Sequence, residues 1–293
     1  MANEKDLAEK ILFDMDDVFA DIVNVLLFKG KELLKPEDLA ATEQISQLKI
    51  GKNDHQQERD VSKLWMNGRV RFALIGLENQ TEAEKLMPMR AIGYDGASYK
   101  EQVVHDKEKD RVKWRPYPVI TIVLYFGKTH WNEPKSLKEL FGPLPEEIAP
   151  YVNDYRIRVF EIAFLTPEEV AMFKSDFRIV ADYFVHSRID KNYKGSPEEI
   201  RHVDALLKLM SALTNDNRYE NQINDWHRKG GPVAMSEIVN NFIEQGAERA
   251  KRESICAVAD AFSVKELSKR FAMSEEEILK ILAEAGITPK SEG

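Results

Sequence analysis

The chain has 293 residues, 43% hydrophobic and 31% charged, which is enough apolar mass for one full core and a smaller appendage. Its net charge of −8 argues against a broad nonspecific nucleic-acid surface, though a local basic cleft stays open. There is no run of about 18 apolar residues and no signal-peptide pattern at the start, and Cys256 alone precludes an intramolecular disulfide, so the expectation is a cytoplasmic protein with no membrane span.

In chain order, Ile11, Met15, Val18, Phe19, Ile22, Val23, Leu26 and Leu27 stand at helical spacing and predict one amphipathic helix over residues 8–28, ended by Gly30 and Pro36. Residues 35–58 are polar and weakly patterned, a long loop with a short helix. Residues 59–66 and 69–77 flank Asn67-Gly68 and predict a hairpin. Its second arm is nearly all apolar after Arg71, as in a strand buried on both faces. A helix is predicted over 81–105, a charged connector over 107–117, and strands over 118–126 and 155–165. Pro167 opens a helical region to about Val185, and residues 196–214 predict another helix that Ser196 can cap. The Lys229-Gly230-Gly231-Pro232 break divides a domain of residues 1–230 from a helical tail of 231–293. In the tail, 236–262, 264–271 and 274–285 read as helices, and Ser274 with Glu277 forms a capping box. The fold class is α/β, with an α+β mixed sheet.

Glu78 and Gln80 close an otherwise apolar strand. A carboxylate there is expensive to bury unpaired, so it should meet a partner, a metal or the open edge of the sheet. Asp60 lies on the other arm of the same hairpin. Two carboxylates on adjacent strands can hold a divalent cation, which acidifies a bound water and stabilises charge on a phosphodiester. Register decides whether they meet. A two-residue Asn67-Gly68 turn pairs residues whose numbers sum to 135 and points Glu78 away from Asp60. Facing each other requires a sum of 138, hence a wide loop or a bulge in the second arm and not a tight turn.

The run from Asp60 through Leu77-Glu78-Asn79-Gln80-Thr81 and Met87-Pro88-Met89-Arg90 to Tyr94-Asp95 resembles the family of recombination-promoting nucleases and transposases, a branch of the PD-(D/E)xK nuclease superfamily. Asp16 and Phe19 resemble the family's opening Asp-x-x-Phe helix, and the segments at 151–155 and 181–184 resemble parts downstream. The resemblance covers about residues 10–230 and is sharpest between Asp60 and Tyr94. It implies a restriction-endonuclease-like core with helices on both sides of the sheet. It also implies DNA cleavage dependent on Mg²⁺ or Mn²⁺ and an association with recombination or mobile elements. Residue by residue, it implies Asp60 and Glu78 as metal ligands, with the Asn79 backbone carbonyl as a further one. Gln80 takes the catalytic place where the superfamily has lysine, and Asp16 is an acid near the metal. Glutamine can orient a water but cannot offset charge, and Lys63 or Lys85 stand as spatial substitutes.

DNA-contacting candidates are Arg90, which also reads as a partner for Glu82 or Glu84, and Lys113 with Arg115 in the run Lys109 to Arg115. Arg188 to Lys194 is a second basic run; each run alone reads as solvated loop charge. Tyr94 reads as core. The histidines lack ligand spacing and no Gly-rich phosphate loop occurs, so zinc and nucleotide hydrolysis are unsupported. The tail has helix-turn-helix spacing, yet Ser274-Glu275-Glu276-Glu277 would repel phosphate, so homo-oligomerisation or plain packing is expected of it. Two function classes remain: a DNA endonuclease, and a catalytically decayed DNA-binding or assembly protein of the same fold, which Gln80 favours. A transposase with three scattered acids on an RNase H-like sheet suits the acidic spacing less well.

Overall fold

The computed structural model describes residues 10–42, 60–68, 70–105, 115–190, 193–288 and 290. The chain divides into two compact units, Met1–Met235 and Ser236–Gly293. The first is built on a mixed five-stranded sheet. After helix α1 (Asp16–Leu26) come strands β1 (Leu39–Ala41), β2 (Val61–Asn67) and β3 (Val70–Gln80), helix α2 (Met87–His105), β4 (Val119–Tyr125), the short α3 (Leu137–Phe141) and β5 (Arg158–Glu161). The strands lie side by side in chain order. Neighbours from β1 to β3 run antiparallel, while β3, β4 and β5 run parallel, so α2 is the crossover between β3 and β4. Helices α4 (Pro167–Met172), α5 (Phe177–Ile189), α6 (Val203–Thr214) and α7 (Arg218–Lys229) complete this unit.

Strand pleating sends alternate side chains to opposite faces, and both faces are covered. Val123 and Tyr125 pack with Met87, Ala91 and Tyr94 of α2 and with Trp131 and Ile157. On the other face Phe126 meets Phe13, Phe177 and Phe184. Burial on both faces explains why β4 is continuously apolar and β-branched instead of alternating. Among the described residues, no helix is long and apolar enough to cross a membrane.

The hairpin has the register that lets the two carboxylates meet, reached by a different route from a wide loop. Asn67 pairs with Val70, so the turn is tight and sits one residue later than Asn67-Gly68. A bulge in β3 then shifts the register, and from Trp65↔Ala73 to Val61↔Leu77 every pair sums to 138. Gly68 at φ 61° supplies the left-handed conformation this turn requires.

Several elements differ from expectation, each for a local reason. The first helix is interrupted: residues 10–13 are helical, Met15 is extended, and α1 restarts at Asp16. Asp16 and Asp17 then occupy a first turn, where the helix dipole favours acids. At its other end Lys29 and Gly30 are left-handed, and the buried Asn24 side chain clamps the exit, accepting from Leu33 N and Leu34 N and donating to Leu34 O. The span 35–58 contains a 3₁₀ turn at Pro36–Asp38 and the edge strand β1; residues 43–59 lie outside the described set. Residues 81–86 are not helical, and α2 begins so that Pro88 falls in its first turn, where a missing N–H costs nothing. The strand expected over 155–165 is only four residues, giving way to a 3₁₀ turn at Ile162–Phe164.

Ser196 caps no helix. Its hydroxyl accepts from Glu198 N, Asp176 takes the Arg201 and His202 N–H groups, and the helix starts at Val203. Helix α7 carries only Tyr219, Gln222 and Ile223 as buried residues, too few apolar positions to announce it. Gly230 and Gly231, both at positive φ, end it. In the second unit α8 (Met235–Ala257) leads to α9 (Val264–Phe271) and α10 (Glu275–Glu284). Ile255, Ala259, Leu267, Ile278, Ile281 and Leu282 form its core, and capping boxes at Ser263/Glu266 and Ser274/Glu277 start the two short helices.

Candidate functional site

Residues 60 and 78 follow the Val61↔Leu77 pair, so Asp60 and Glu78 stand opposite each other on the sheet face that α2 covers. The Asn79 N–H donates to Asp60 Oδ2 at 2.8 Å, fixing one carboxylate to the backbone beside the other. Glu78 has no solvent exposure. Its Oε2 lies 3.4 Å from Nη2 of Arg90, one helical turn into α2. An ionised carboxylate at that depth needs a cation, because desolvating it alone costs several kcal/mol.

Arg90 is itself held in place. Its Nε and Nη2 donate to the Tyr94 hydroxyl at 3.2 and 3.0 Å, and its Nη1 donates to Glu84. Burial works against its charge, but the Tyr94 hydroxyl and the Glu78 and Glu84 carboxylates outweigh that and hold the guanidinium more firmly protonated than usual. Burial, then the Glu78 charge, push the Tyr94 phenol above its ordinary range, with Arg90 opposing. Tyr94 is thus core, as the sequence suggested, and also the seat of the arginine. One position on, buried Asp95 accepts from Thr121 Oγ1 at 2.7 Å and from the Tyr155 hydroxyl at 2.6 Å. These bonds pin α2 to β4 and to the approach to β5. Of the two acids the sequence offered Arg90, Glu84 is the one it meets; Asp95 had no assigned role, and only its place next to Tyr94 hinted at one.

Gln80 lies on the same face as Glu78 by strand alternation, and its carbonyl accepts from Phe126 N at 2.8 Å. Asn79 points to the other face. Its side-chain amide is buried, and neither polar atom has a hydrogen-bond partner among the described residues. Asp16 is not brought to the carboxylate pair. It binds Lys63 Nζ at 2.7 Å, with Asp14 at 3.2 Å, and Lys63 pairs with Ile75 on the face opposite Glu78. Lys63 is therefore no spatial substitute for the superfamily lysine, and Lys85 is an exposed residue ahead of α2. Arg115 is exposed, and Lys113 lies outside the described residues.

Among the described residues no group of three or more His, Cys, Asp or Glu is placed to hold a metal ion. The site offers two carboxylates and backbone carbonyl oxygens, a hard-oxygen donor set that suits a cation retaining most of its waters.

Comparison with curated proteins and with solved structures gave no match. One family model matches residues 64–223, more than half of the chain. The match holds Glu78, Gln80, Arg90 and Tyr94, begins four residues after Asp60, and ends before the second unit. The chain belongs to the family described as "Putative transposase, YhgA-like".

Proposed function

We propose that the chain is a cytoplasmic DNA endonuclease that hydrolyses phosphodiester bonds with a divalent cation, Mg²⁺ or Mn²⁺, and serves recombination or a mobile element. The observation that carries this reading is the bulged hairpin, which sets Asp60 opposite Glu78 at the carboxyl end of β3 with the Asn79 N–H on Asp60. A tight turn without the bulge would have put the two carboxylates on opposite faces.

In this reading Asp60, Glu78 and the Asn79 backbone carbonyl hold the cation. Once bound, the cation supplies an acidified water and Lewis-acid stabilisation of the phosphoryl oxygens. Gln80 orients the attacking water through its amide. Arg90 supplies the positive charge that Gln80 lacks, and its bonds to Tyr94 and Glu84 preorganise it. Arg115 is a backbone contact for the DNA, as is Lys113.

The competing reading, a decayed DNA-binding or assembly protein, has one specific observation behind it: Gln80 stands in the lysine position. Nicking of supercoiled plasmid separates the two. The nuclease reading predicts open circles with Mg²⁺ or Mn²⁺, none with EDTA, and loss in Asp60→Ala. Plasmid bound but uncut by folded wild type with either metal would discard it in favour of the decayed protein.

A further inference from the structure

The carboxyl ends of the three parallel strands form one edge, and Gln80, Tyr125 and Glu161 stand in register along it. At the β5 end, Glu161 organises the loop that follows β4. Its Oε2 meets His130 Nδ1 at 3.0 Å, and its Oε1 accepts the Trp131 N–H at 2.5 Å. The Trp131 ring stands edge-on to Tyr125, so this loop is tied to two strand ends at once. The His130 ring stacks on Phe164 with centroids 3.8 Å apart. The Arg188 guanidinium lies 4.4 Å from the same phenyl centroid, with Nε bonded to Ala163 O. The Phe164 ring thus holds both His130 and Arg188 against it, and the His130 side chain is 71% exposed.

We infer that His130, backed by Phe164 and Arg188, is a stacking platform for an unpaired base of a DNA strand running along this edge. The inference rests on the reading of the chain as a DNA-acting protein, and it adds the form of DNA preferred. Charge supports it. The whole chain is at −8, so long-range attraction to phosphate is weak and a stacking contact supplies affinity that does not depend on it. Locally, Arg188 and Lys128 are exposed, Lys135 acts on Glu161, and both Glu161 oxygens are engaged by the loop they hold. Distance supports it as well. From β3 to β5 is two strand spacings, about 10 Å, or roughly three nucleotide steps along one strand. A strand with its phosphodiester at Asp60 and Glu78 can therefore present a nearby base to His130. A base held inside a duplex cannot stack there.

The test is binding of fluorescein-labelled DNA in EDTA, comparing a blunt duplex with the same duplex carrying a single-stranded overhang. Wild type should prefer the overhang by about tenfold, the size of one base–aromatic stack. His130→Ala should lose that preference while binding the blunt duplex as before, and His130→Tyr should restore it. A folded His130→Ala protein that keeps the preference, or a wild type that shows none while still binding the duplex, overturns the platform and leaves the nuclease reading standing. Wild type that binds neither probe in EDTA overturns the platform, while the nuclease reading is decided by nicking with Mg²⁺ or Mn²⁺.

Discussion

The chemistry at the residue scale turns on a carboxylate without solvent. Glu78 is fully buried, and Arg90 reaches it from α2 while anchored to Tyr94 and Glu84. Removing one partner of a buried pair strands the other charge, so Arg90→Met should destabilise the fold by about 3 kcal/mol in urea titration, the low end of the range because Arg90 keeps some exposure. Arg90→Lys keeps the charge but loses the forked geometry, and should recover less than half of that loss. Tyr94 gives a pH signature. Its folded phenol titrates above the ordinary value of about 10, so the protonated form is favoured by folding. The associated stability is complete below pH ~10 and is lost as pH rises through the folded value. Thermal melts between pH 9 and pH 11 should fall more steeply for wild type than for Tyr94→Phe; equal slopes would remove Tyr94 from the account.

At the element scale, four of the five strands, and the register that the two acids require, were legible in the sequence. The apolar run before Glu78 and the β-branched run over 118–126 are read directly, because burial on both faces leaves its mark on composition. The requirement for a sum of 138 was also readable, since only that pairing lets the acids meet. Of the two means the sequence left open, a wide loop or a bulge in the second arm, the bulge is the one that forms, and because it supplies the shift in register the turn itself can be tight. Strand β1 is three residues at the sheet edge, and α7 buries three, so neither has enough periodicity to be seen. Asp16 pairs with Lys63, and an acid at a helix start looks the same in sequence whether it faces a metal or a lysine. The break before α1 and the clamp after it set where this helix lies. Asn24→Ala should cost about 1–3 kcal/mol by losing three hydrogen bonds from a buried amide, measured by denaturant midpoint at unchanged m-value. A change under a few tenths would mean that the turn at Lys29 and Gly30 holds itself.

On the scale of the whole molecule, the acidic total limits how the chain holds DNA. With Arg90, Lys113, Arg115 and Arg188 as the proposed cations, the slope of log binding constant against log salt should be about −4 or shallower. A slope near −8 would place a basic surface where this account has none. The second unit has its own core, and Leu267 is wholly buried in it. Leu267→Ala should cost about 2–5 kcal/mol, seen as faster hydrogen exchange within residues 236–293 with nicking unchanged. Concentration-dependent self-association lost in the same variant would give the tail its assembly role.

The most direct test of the central claim is single-turnover cleavage of a labelled DNA duplex titrated with Mg²⁺, wild type against Glu78→Ala. The account predicts a saturable Mg²⁺ dependence in wild type and a loss of at least a hundredfold in the variant. Cleavage that persists in a folded Glu78→Ala protein, or that ignores Mg²⁺, would contradict it.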